Sequence, residues 1–306
     1  MRPFDFVGAT IVSEVVLLLA LALLFQCVPL LKTSKSNDPY FSTHRTTVIQ
    51  AALGVVALTV LSNFLSGVSL LLSNPLALYA WIYISLIVVL AFILSFYKKI
   101  GQSLSVIGFT SQSLSSVFLA GTKAAFALLL VHDLYWLLVP VSWLDGQALS
   151  HTNHDLDRYA REHGMHWTAV VAIITTFFRQ GLTATIEELS YRGLLYSALR
   201  RHVSVMPALL GSSVIFMLGH DWFSPEIFML SCLFAYLYER HHSVLPAIFV
   251  HFSWNTHLDL FSWAMSVSEI SVRSWYFGSL VFSLLALGLA HYAAIQQTDK
   301  PNLLTR

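Results

Sequence analysis

Between Arg45 and Lys98 the chain runs without a single Asp, Glu, Lys, Arg or His, and its only strong turn signal is Ser73-Asn74-Pro75. About 20 apolar residues cross the hydrocarbon core of a bilayer, so this run predicts two spanning helices joined by a tight turn. Runs of the same kind predict helices over Val7 to Leu31, Thr46 to Leu72, Leu76 to Tyr97, Val117 to Leu144, Trp167 to about Leu199, Val205 to His220, Ser224 to Tyr238, Val244 to about Leu258, and Trp275 to Ala294. The expected fold is all-α, a polytopic transmembrane helix bundle of eight or nine spans.

One stretch breaks the pattern. Ser150 to His166 (SHTNHDLDRYAREHGMH) carries four histidines among mixed charges and reads as a water-facing cap, a short helix or loop. Four clustered histidines can hold a metal, but without a second flanking ligand set the solvated loop is the preferred reading. The chain then divides into N-terminal spans and polar loop over 1–165, a helix core over 166–262, and a last span and tail over 263–306.

Composition supports the membrane reading. Of 306 residues, 56% are hydrophobic and 11% charged, against roughly 25% charged in soluble domains. A net charge of +1 gives no electrostatic case for nucleic acid. Cys27 and Cys232 both lie in apolar runs without ligand-like spacing, which excludes a disulfide framework or a cysteine zinc site and leaves buried thiols. Val15 to Leu31 is long, and Lys32-Thr-Ser-Lys35 after it lacks a cleavage pattern, so a retained first span is expected.

Basic residues (Lys32, Lys35 and Arg45; Lys98-Lys99; Arg200-Arg201; Arg240; Lys300 and Arg306) fall in alternate connections. The others carry Asp145, Asp155, Asp157, Asp221, Glu226, Asp259 and Glu269, mixed with Arg158, Arg161 and Arg273. The positive-inside rule then places the N-terminus outside and the C-terminus inside. A bacterial inner membrane with a cytoplasmic C-terminus is the expected location, from a short chain without a retention-like tail.

Three polar sites at helical spacing occupy the last third of the chain. In Glu187-Glu188-x3-Arg192, Glu188 and Arg192 stand at i and i+4 and pair on one face, which leaves Glu187, about 100° away, as a candidate base. Phe216-x3-His220 sets a ring one turn before an imidazole. His251-x3-Asn255 projects an imidazole and a carboxamide from one helix face, with Pro246 suited to its first turn after Ser243. Each alone has a structural reading: a buried ion pair, an interfacial histidine, hydrogen-bonding glue between helices. Together they place a carboxylate and two histidines on three helices predicted to lie in a membrane, where ionisable groups are rare.

The ordered set EExxxR, FxxxH, HxxxN resembles the signature of the CPBP family of intramembrane proteases, which includes the CAAX prenyl endopeptidases and bacterial relatives linked to bacteriocin processing and self-immunity. The lead-in Ser243-Val-Leu-Pro246 is similar too. The resemblance implies Glu187 as general base, His220 orienting or sharing the same water, and His251 with Asn255 as oxyanion donors, supported by Glu188, Arg192 and Phe216. It implies a membrane-associated polypeptide substrate, prenylated or a peptide precursor, and the lipid bilayer as surroundings. The cofactor stays open, none or zinc. A zinc ion would take Glu187, His220 and His251, but there is no HExxH, and Asn255 is a poor zinc ligand and a good oxyanion donor.

Depth poses a difficulty. Glu187 lies about 30 Å down a helix starting at Trp167, whereas His220 ends a helix running the other way. A longer, tilted helix to Leu199 with Glu187 near its middle, or a later start after Pro207, reconciles the two. Glu14 is expected at the outer edge of the first span. Lys123, His132 and Asp133, within or beside the fourth, are expected to be structural, paired with each other or lining a cavity. A proton-coupled transporter is the rival reading, weakened by the lack of an internal repeat, and a non-catalytic immunity or binding member is the other.

Overall fold

The computed structural model describes residues 47–69, 72, 75–108, 114–138, 168–220, 224–267 and 271–298. Their regular elements are all helical: α1 (Val48–Ser69), α2 (Pro75–Lys99), a 3-10 turn (Leu104–Ile107), α3 (Leu114–Leu138), α4 (Thr168–Glu188), α5 (Val205–Leu218), α6 (Pro225–His241), α7 (Leu245–Val267) and α8 (Val272–Thr298). Helix α4 does not stop at Glu188 but continues through a π-helical segment, Leu189–Tyr196, into an α turn, Ser197–Arg200. That unbroken run matches the long helix from Trp167 to Leu199, with Glu187 inside it rather than at its end. The predicted span Val7 to Leu31, Glu14 and the histidine-rich stretch lie outside the described residues.

Four helical stretches among the described residues are long and apolar enough to cross a membrane: Val48–Val68, Ala80–Lys99, Ser115–Tyr135 and Val272–Ile295. Large apolar side chains stand exposed on them, as lipid contact demands: Leu53 and Phe64 on α1, Phe277, Leu285 and Leu289 on α8. Among the described residues the other predicted spans do not meet that measure, and a count of eight or nine crossings is not confirmed. Helix α4 carries Arg179, Glu187 and Glu188, and α5 and α6 have 14 and 17 residues, short against about 20 for a crossing.

Contacts divide the chain into two units. The first is Met1–Gln112 with Gly181–Ile248, and the second is Ser113–Gln180 with Phe249–Arg306.

In the first unit, α1 and α2 pack on the π segment around a core that includes Val55, Ile93, Tyr97, Leu189, Leu194 and Tyr196. The π segment has a local cause. Tyr97 of α2 donates its hydroxyl to the Leu189 carbonyl at 2.8 Å, the acceptor that an α-helix would offer to the Gly193 amide. Gly193 leaves the space for it, since a Cβ there would overlap the Tyr97 hydroxyl. Gly193→Ala is therefore expected to destabilise the protein by about 1–3 kcal/mol, as overpacking does. The double variant with Tyr97→Phe should lose less than the two single losses combined, because the pair shares one clash. Thermal unfolding of the four proteins in detergent measures it, and simple additivity would refute this origin of the π segment.

Two further devices fix this unit. At Gly108, φ is +85°, and a Cβ there would run into the backbone of His242 and Ser243. This close approach lets Ser243 donate its hydroxyl to the Gly108 carbonyl at 2.9 Å and the Val244 amide donate to the Ile107 carbonyl at 3.2 Å, clamping the entry to α7. Pro246 is the second residue of that helix, in the first turn as its missing amide favours. Arg200 meets Glu239 of α6 through two 2.9 Å bonds, and Tyr196 donates to the same carboxylate at 2.7 Å. Arg200 is thus buried and paired, not a loop charge as its place in a basic cluster suggested.

In the second unit, α3 and α8 pack along their length, with Phe126 edge-on to Phe282 at 5.6 Å. Phe118 of α3 meets Phe249 of α7 at 4.9 Å. Asp259 was expected in a connection, but α7 runs on to Val267 and Asp259 lies within it, ion-paired to Arg179 of α4. A paired carboxylate no longer demands water, so the helix continues past it.

Candidate functional site

The first unit encloses a cavity of about 450 Å³ bounded by α1, α2, α4 and the residues just after α5. Glu187 and His220 both line it, with the Glu187 Oε2 to His220 Nε2 distance 3.8 Å and side-chain exposures of 25% and 33%. The two side chains are therefore neither sealed away nor in open solvent. The depth difficulty disappears, because α4 passes Glu187 without ending and α5 stops at Leu218, two residues before His220.

The adjacent carboxylates are separated by the helix itself. Glu188 faces inward, wholly buried, and Arg192 Nη1 bonds to it at 3.1 Å. Arg192 Nη2 donates to the carbonyl of Ser231 at 2.9 Å and to its hydroxyl at 2.6 Å, which ties α4 to α6. The guanidinium also lies over the rings of Phe216, at 4.6 Å, and Phe234, at 5.2 Å. Phe216 in turn packs its ring 4.6 Å from that of His220. The phenylalanine of FxxxH is thus the physical link between the buried ion pair and the imidazole.

His220 Nδ1 is 2.8 Å from the carbonyl oxygen of Phe216. A carbonyl only accepts, so Nδ1 carries the proton in that bond and Nε2 of a neutral ring is left with a lone pair. A carboxylate oxygen and an imidazole lone pair, side by side, are both acceptors. They suit a water molecule that donates one hydrogen to each, an arrangement that sets acceptors about 4.4 Å apart for bonds of about 2.8 Å.

The cavity has a polar wall that sequence reasoning missed. Thr59, Ser62, Asn63 and Ser66 of α1 line it at i, i+3, i+4 and i+7, with Ser85 of α2, Thr183 of α4 and Ser190 of the π segment. The signal was present as a hydroxyl and amide stripe of helical period in a run without charges. Such a stripe is a weak signal in a membrane run, because hydroxyls there also bond back to the carbonyls of their own helix.

His251 and Asn255 stand one turn apart on α7, in the second unit, the first buried and the second half-buried. Of the three residues implied as zinc ligands, Glu187 and His220 belong to the first unit and His251 to the second.

No curated protein and no solved structure matches this chain. Residues 165–257 match the family model described as Type II CAAX prenyl endopeptidase Rce1-like, which makes this stretch, holding all three motifs, consistent with a CPBP family protease.

Proposed function

We propose that this chain is an intramembrane endopeptidase that hydrolyses a peptide bond in a membrane-associated polypeptide. The observation that carries the reading is the Glu187–His220 pair, 3.8 Å apart on a shared cavity whose far wall is polar although its helices are apolar outside. A water held by both acceptors loses a proton to Glu187 as its oxygen attacks the scissile carbonyl. The same proton then passes to the leaving amine, which returns the carboxylate to its starting state. His220 keeps the water oriented through its second hydrogen. The oxyanion needs donors, a role that falls by the resemblance to His251 and Asn255. Glu188, Arg192 and Phe216 position the pair, and the bilayer supplies the substrate by lateral diffusion.

The family description adds the candidate substrate, a prenylated C-terminal CAAX segment. The test co-expresses the chain with two reporters, one carrying a prenylated CAAX end and one a non-prenylated membrane-anchored peptide. The expected result is cleavage of at least one by the wild-type chain and none by His220→Ala at equal membrane abundance. Cleavage unchanged in His220→Ala overturns the assignment. No cleavage of either reporter, together with substrate-coupled proton flux in vesicles, would favour the transporter.

A further inference from the structure

We propose that His132, Asp133 and His257 form a second polar site, a divalent metal site of zinc type within the second unit. The three are held by α3 and α7, and none belongs to the motifs that mark the proposed protease site. Their ligating atoms all lie within 4.8 Å of one another. His132 Nδ1 is 3.3 Å and His257 Nε2 3.2 Å from the same oxygen, Asp133 Oδ1. Tetrahedral zinc with bonds of about 2.0–2.1 Å sets its ligand atoms about 3.3 Å apart along each edge, which both contacts of Asp133 Oδ1 match, while the remaining edge, His132 to His257, lies within 4.8 Å.

Hydrogen bonding favours the ion over a plain ion-pair cluster. His257 Nε2 is buried 3.2 Å from Asp133 Oδ1 without the alignment of a good hydrogen bond, and Asp133 Oδ2 is buried with only the Ser279 hydroxyl besides the two imidazoles near its carboxyl group. Buried polar atoms in native proteins are nearly always well satisfied, and two poorly aligned ones, an imidazole nitrogen and a carboxylate oxygen, suit a ligand between them. The imidazole of His257 is arranged as metal-bound imidazoles are. Its Nε2 faces the carboxylate, while its Nδ1 lies 3.5 Å from the Ser279 hydroxyl of α8, which holds the ring from behind. His132 is walled by the edges of Trp254, at 4.7 Å, and Tyr276, at 5.8 Å, which restricts its rotation. Two neutral imidazoles and one carboxylate leave a zinc complex with a single net positive charge, and Asp133 Oδ2 or a water completes the coordination. The ion would fasten α3 to α7 through the carboxylate that His132 and His257 already flank.

The experiment purifies the full-length chain in detergent through a tag without histidines, loads it with zinc, removes the excess and measures bound metal. About one zinc per chain is expected, as for other sites of three protein ligands. Asp133→Asn and His257→Gln, both close in shape to the originals, should lose it. Glu187→Gln should keep it, which separates this site from any metal held at the proposed protease site. Cobalt in place of zinc should give the intense visible absorption of four-coordinate geometry. Wild-type protein that retains no zinc, or Asp133→Asn and His257→Gln proteins that retain as much as wild type, overturns the proposal. If those variants do not fold, the wild-type stoichiometry and the cobalt spectrum still decide, since a six-coordinate spectrum would also refute it.

Discussion

Glu187→Gln is expected to lower the rate of substrate cleavage by about 10²–10⁴-fold, the range for removal of a positioned general base, the role proposed for Glu187. Glutamine keeps the shape of the side chain and the walls of the cavity, so the loss reports on proton transfer and not on packing. Thermal unfolding of the variant should stay close to that of wild type, because Glu187 is partly exposed to the cavity and does not belong to the buried Glu188–Arg192 pair. His220→Ala should cost a comparable factor. The double variant should be little slower than the worse single one, since both groups act on one water and remove the same step. The measurement is the initial rate on a cleavable reporter in proteoliposomes, with protein amount fixed by quantitative blotting. A double variant whose losses multiply would place the two residues in separate steps and undo the shared-water arrangement.

The helices were legible because apolar length and the 3.6-residue period are strong local signals, and those predicted from Thr46 onward recur among the described residues, although α7 runs on from Leu258 to Val267 and α3 is described only to Leu138. The pairing of Glu188 with Arg192 was legible for the same reason, since i and i+4 on a helix are neighbours whatever surrounds them. Partners distant in sequence were not. The Arg200–Glu239 and Arg179–Asp259 pairs join residues 39 and 80 positions apart, and no local pattern reveals which buried charge finds which. Charge position thus misled twice: Arg200 and Asp259 were placed in connections because unpaired charges belong in water, whereas each is neutralised inside the protein. The π segment was invisible because its cause is a hydroxyl from another helix, 92 residues away from the carbonyl that it meets. Asp133 was read as structural and paired with its neighbours. That holds as far as His132, but its contact with His257, more than a hundred residues on, could only come from the fold.

Arg192→Met is expected to destabilise the protein by about 3–5 kcal/mol, the range for stripping one partner from a buried ion pair. The guanidinium is fully buried, and five groups depend on it: the Glu188 carboxylate, the Ser231 carbonyl and hydroxyl, and the rings of Phe216 and Phe234. Methionine fills much of the volume, so the loss comes mainly from leaving Glu188 as a charge in an apolar interior. Adding Glu188→Gln removes that charge and should recover a large part of the stability, although the Ser231 carbonyl remains without its donor. Arg192→Lys keeps the charge but not the planar fork that reaches Glu188 and Ser231 at once, and should fall between wild type and Arg192→Met. Unfolding midpoints in detergent for wild type, the two arginine variants, Glu188→Gln and the Glu188→Gln/Arg192→Met double variant measure the cycle. If Arg192→Met unfolds no earlier than wild type, Arg192 does not hold its helix against α6 through Ser231. Activity adds a second readout: Phe216 carries the guanidinium on one side and His220 on the other, so Arg192→Lys should lose cleavage rate beyond its loss of folded protein. A rate that merely tracks the folded fraction would show that the pair holds the helix without positioning the imidazole.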